Sequence, residues 1–92
     1  MISSETLVHQ SDIAERAGRR QLAENLRRAA ELVQVPDEFI LQVYNALRPR
    51  RSTAAELAAY ALRLREEFRA PHCARWIEEA AVVYAGRHLL RS

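Results

Sequence analysis

Few side chains in this sequence could do chemistry, and their spacing works against it. The three histidines, His9, His72 and His88, are scattered, and the one cysteine, Cys73, has only His72 as an immediate ligand-type neighbour. Consecutive residues on a helix point about 100° apart, so a His72/Cys73 pair would need distant ligands to close a tetrahedral metal site. Cys73 also falls on an apolar stripe with Trp76, Ile77 and Ala80, which predicts a buried and inert thiol rather than a nucleophile. Glu66-Glu67 and Glu78-Glu79 diverge on helices and predict solvated faces. No Ser/His/Asp order, glycine-rich phosphate loop or zinc motif is present in the sequence. The expectation is a chain with no catalytic residue and no metal or cofactor site of its own, whose role is binding or structural.

The sharpest local feature is the turn Arg48-Pro49-Arg50-Arg51. Three guanidinium groups on a proline-stiffened turn can pair with carboxylates of another polypeptide while losing little freedom on binding. Tyr44, Asn45 and Trp76 complete the candidate partner-binding set; the two aromatics become interface anchors if the helices around them are too thin to cover them. Contact with nucleic-acid phosphate is the weaker reading of these arginines. Arg19, Arg20, Arg27 and Arg28 add charge, but no aromatics are interleaved with them and no helix-turn-helix pattern is clear.

The elements that must position these residues follow from periodicity and punctuation. Ser3 or Ser4 can cap a first helix carrying Leu7, Ile13, Ala14 and Ala17, which Gly18 is placed to stop. Leu22, Leu26, Ala29, Ala30 and Val33 then mark one face of a second helix, with Arg20, Glu24, Arg27 and Glu31 on other faces as charge pairs four residues apart. Val35-Pro36-Asp37 breaks that pattern and opens a new helix with the stripe Phe39, Ile40, Val43, Tyr44 and Leu47, which Pro49 ends. Thr53 with Glu56 fits a capping box, so the next helix starts near Ala54 and carries Leu57, Tyr60, Ala61, Leu64 and Phe68. Pro71 opens a last helix with Cys73, Trp76, Ile77, Ala80, Val83 and Tyr84 on one broad face; Arg75, Glu78, Glu79 and Arg87 turn mostly outward. Short connections favour antiparallel neighbours. The prediction is one all-α domain over residues 1–92, a small open up-and-down bundle of three main helices preceded by one or two N-terminal ones.

Composition agrees. Of 92 residues, 49% are hydrophobic but only 7% aromatic, so much of the apolar content is Ala and Leu, which favours helix. All 14 basic residues are arginine, against 12 acidic ones, and a net charge of +2 lacks the basic excess usual for a nucleic-acid binder. A single cysteine rules out an internal disulfide and fits a reducing cytoplasm. The start, Met1-Ile2 followed by Ser, Ser and Glu, has no signal-peptide core, and no run approaches the ~20 apolar residues that cross a bilayer. A chain this short with so modest a core often leans on a partner.

One ordered signature goes further than composition. Val35-Pro36-Asp37 followed by Val43-Tyr44-Asn45-Ala46-Leu47-Arg48-Pro49-Arg50-Arg51-Ser52-Thr53 resembles the small subunit of the adenosylcobalamin-dependent diol and glycerol dehydratases. The resemblance continues upstream through Ala17-Gly18-Arg19 and Arg28-Ala29-Ala30-Glu31-Leu32, and downstream through Glu56-Leu57, Cys73-Ala74 and Glu79-Ala80-Ala81 to Tyr84, covering nearly the whole chain. It implies a helical subunit that packs on a large catalytic barrel subunit, alongside a medium subunit. Adenosylcobalamin and substrate are held in that parent complex, and no catalytic residue is contributed by the small one. Two departures stand out: family members usually carry an extension before the segment matched by Glu5-Thr6-Leu7, and they commonly have Tyr where Arg50 stands. The alternative is a stand-alone paralogue that keeps the bundle and serves as an interaction or assembly module, for instance as a homodimer.

Overall fold

The computed structural model describes residues 3–91, which form five helices: α1 Ser4–Arg16, α2 Arg20–Leu32, α3 Asp37–Ala46, α4 Ala54–Glu66 and α5 Pro71–Gly86. No strand occurs among the described residues, as the sequence predicts. Met1 and Ile2, part of the N-terminal reading above, lie outside them.

Local chemistry sets the helix ends. Ser3, not Ser4, caps α1, its hydroxyl accepting a hydrogen bond from the Thr6 amide. At the other end Gly18 takes a left-handed φ of 78°, and the amides of Gly18 and Arg19 reach back to the carbonyls of Glu15 and Ala14. Thr53 and Glu56 make the expected capping box on α4. Pro71 occupies the first position of α5, where its missing N–H costs nothing. Pro36 sits one residue ahead of α3, whose first turn carries Asp37 and Glu38 at the positive end of the helix dipole.

The helices pack as two hairpins, α1 with α2 and α4 with α5, with α2 resting on α5 and α3 crossing to the second hairpin. The main core joins Val35 and Phe39 to Leu57, Ala61 and Leu64 of α4 and to Cys73, Ala74 and Ile77 of α5. Phe39 is its centre, with ring centroids 5.7 Å from Tyr60 and 4.9 Å from Phe68, and with the Arg63 guanidinium 4.5 Å above its ring. Among the described residues, six of the twelve buried apolar ones are alanine, so the interior fills little volume per residue.

Two expectations are corrected here. The buried stripe of α2 is Ala23 and Ala30, not Leu22 and Val33, which are exposed; likewise Ser11 and Ala14 of α1 are buried while Ile13 is exposed. Close approach of the α1/α2 backbones selects small side chains and turns the larger ones outward. The charges of α2 do not pair along their own helix. Arg27 reaches Glu15 and Asp12 of α1, and Glu24 meets Arg75 and His72 of α5, so Arg75 is an interhelical partner and not simply outward-facing.

Glu31 makes the most consequential of these contacts. Ala70 offers α5 no side-chain cap, and the orphan amides of His72 and Cys73 donate instead to the two carboxylate oxygens of Glu31, at 3.0 and 2.7 Å. A residue at the end of α2 thus caps a helix that starts forty residues later. Beside it, Glu24 is drawn in two directions: burial raises its pKa, but hydrogen bonds from Arg75 and His72 outweigh this and hold the carboxyl below its ordinary 4.5.

Replacing Glu31 with Ala should lower unfolding stability by about 1–2 kcal/mol, the scale of a lost cap, with the urea midpoint as readout and Glu31→Gln retaining part of it. Because Glu24 is depressed in the folded state, its contribution is present above 4.5 and fades as pH falls through the lower folded value. The thermal midpoint of Glu24→Gln should therefore change less between pH 6 and pH 3 than that of the wild type, taking about these values as the ends of the titration.

Candidate interaction groove

α3 and α5 diverge enough to leave a furrow between them. Its upper part, about 300 Å³, is floored by Phe39, Val43 and Ile77 and flanked by Leu32 and Arg28 of α2. A second hollow of about 610 Å³ continues it past Leu47 toward Arg48, Pro49 and Val83. Tyr44, Leu47 and Trp76 line both, so the two form one groove. Tyr44 is 64% exposed, Trp76 44% and Val83 47%, which leaves the apolar stripes of α3 and α5 each half covered. The broad face of α5 is split accordingly: Cys73, Ala74 and Ile77 are buried, whereas Trp76 and Val83 look into the groove.

The arginine turn closes one end. Arg50 has a left-handed φ of 61°, its amide donating to the Leu89 carbonyl at 2.7 Å, while the Arg91 amide donates to Ser52 at 2.8 Å and the Arg91 side chain to the Arg51 carbonyl. The Ser52 hydroxyl donates to Ala46 and the Tyr84 hydroxyl to Leu47. The turn is therefore stapled to the segment following α5, and its shape is set without its guanidinium groups. Arg91 pairs with Glu56, but Arg48, Arg50 and Arg51 have no carboxylate partner among the described residues. At the other end the Arg28 guanidinium lies 5.7 Å from the Trp76 ring.

Of the candidates named from sequence, Tyr44, Arg48, Pro49 and Trp76 meet at this groove. Asn45 and Arg51 face a separate shallow hollow beside Gln42 and Tyr60, and Arg50 stands at the turn's crest beside Leu89. Sequence reasoning missed Leu32 and named Arg28 only for the phosphate reading; both reach the groove because α2 docks on α5. No group of three or more potential metal ligands converges among the described residues, and no described helix is long and apolar enough to cross a membrane. Cys73 is 7% exposed, its thiol 3.5 Å from the Arg28 carbonyl. Burial, reinforced by the Glu31 carboxylate, pushes its pKa up to about 12. The arrangement suits contact with a macromolecule.

Known proteins resemble the chain along nearly its whole length. The family model described as "Dehydratase small subunit" matches residues 1–91. The chain is 51% identical over 90 residues to a propanediol dehydratase small subunit of Citrobacter freundii, and equally so to one of Salmonella typhimurium. Each match covers 98% of this chain and 52% of the relative, so the chain spans about half the length of these curated relatives.

Since the thiolate is suppressed at neutral pH, Cys73 should react with a disulfide reagent only at the rate of local opening, and stoichiometrically once denaturant is added. Rapid labelling of the folded chain would show that α2 does not cover the start of α5.

Proposed function

The chain belongs to the dehydratase small-subunit family, and from that membership we propose that it serves as the non-catalytic small subunit of an adenosylcobalamin-dependent diol dehydratase, a hydro-lyase acting on 1,2-diols or glycerol. It acts as one helical unit that packs on the large catalytic subunit, in company with the medium subunit, and stabilises the assembly in the cytoplasm. The single observation that supports this most is the pairing of a family match over nearly the whole chain with an open apolar groove that ends at an arginine turn.

Adenosylcobalamin does not fit this chain's own residues. The groove floor is apolar, no imidazole lines it, and His72 is tied to Glu24. The cofactor belongs to the rest of the complex, and no residue here is assigned to it. The chain's contribution is steric and adhesive: it covers partner surface and is itself completed by doing so.

Co-expression with large and medium propanediol dehydratase subunits tests the proposal. The three chains should co-elute as one species that dehydrates propane-1,2-diol when adenosylcobalamin is added, while the isolated chain shows no turnover. Elution of the chain apart from the other two, or turnover by the chain unaided, would contradict it.

A further inference from the structure

We propose that the α3/α5 groove is the seat of the large subunit, and that it takes an apolar segment of that subunit flanked by carboxylates, with the acidic end lying against Arg48 of the arginine turn. The inference rests on the small-subunit reading and adds to it the docking face and the chemistry of what docks.

Three observations carry it. The accessible surface is 6466 Å², about 1,000 Å² more than the ~5,500 Å² expected of a monomer of this mass. That excess matches the roughly 800 Å² that one partner buries in a standard interface. The radius of gyration, 14.1 Å, exceeds the ~12 Å of a compact domain of this length in the same sense.

Four of the eleven large apolar side chains exposed among the described residues also converge. Leu32, Tyr44, Trp76 and Val83 come from three helices yet line one furrow, with aromatic anchors at its middle, where a partner would exclude water most fully.

Charge then selects the occupant. Arg48, Arg50 and Arg51 stand on a turn held rigid by backbone bonds to residues 89 and 91, so their guanidinium groups are presented without carboxylate partners among the described residues. Arg28 flanks the opposite end. The groove's own carboxylate is Glu79. A second copy docked through this face would bring a duplicate set of arginines against one glutamate from each chain, whereas a segment with acidic flanks neutralises the rim.

Binding of the wild-type chain and variants to the assembled large and medium subunits, measured by interferometry across ionic strengths, tests this. Tyr44→Ala and Val83→Asp, both at exposed positions, should each weaken binding about tenfold or more. Arg48→Glu should weaken it by a similar factor and flatten the salt dependence seen for the wild type. Leu62→Asp, equally exposed but on α4 away from the groove, should leave affinity unchanged. If the wild type binds and the groove variants bind equally well, the docking face is wrong while the small-subunit reading stands; if the wild type itself does not bind, both fall. A dimer of the isolated chain that Val83→Asp splits, with capture unaffected, would assign the groove to a second copy and overturn the proposal.

Discussion

The contact between the Glu31 carboxylate and the first turn of α5 organises this molecule. The residues that α2 buries are alanines, and polar contacts join it to α5. Glu31 supplies the cap α5 lacks, Glu24 gathers Arg75 and His72, and the Cys73 thiol meets the Arg28 carbonyl. Such contacts are directional, so they specify one docking geometry even where burial contributes little. The groove shares that geometry: Leu32 and Arg28, one turn apart on α2 beside Glu31, form part of its wall.

The thin interior has a functional corollary. A bundle whose described interior is half alanine leaves apolar side chains uncovered on several faces, and one set of them is grouped. Tyr44, Trp76 and Val83 lie along one furrow that ends at a cationic turn, the anatomy of an interface with an apolar centre and a charged rim. Stability and association are then linked, because a partner that binds the folded form also stabilises it.

Much of the fold was legible in the sequence because its punctuation is local. Gly18, Pro71 and the Thr53/Glu56 pair each act within one helical turn, and the structure uses them as their chemistry requires. Which side of each helix is buried was less legible. A periodic stripe says that a face is apolar but not how closely the neighbouring backbone comes, and in α1 and α2 that closeness reversed the roles of large and small residues. The Glu31 cap was illegible, since its donors lie more than forty residues away and a glutamate among arginines reads as one of a solvated pair. The same limit applies to the site: Tyr44, Arg48 and Pro49 are neighbours in sequence, but only the tertiary fold sets Trp76, Leu32 and Arg28 opposite them.

The central claim is that the α3/α5 face is finished by another polypeptide. Amide hydrogen exchange of the chain, alone and in the proposed complex with large and medium dehydratase subunits, addresses it most directly. The account predicts slowed exchange on complex formation in 40–51 and 76–84, with α1 little altered. Protection centred instead on the α1/α2 surface around Ile13 and Leu22, or no change in α3 and α5, would contradict it.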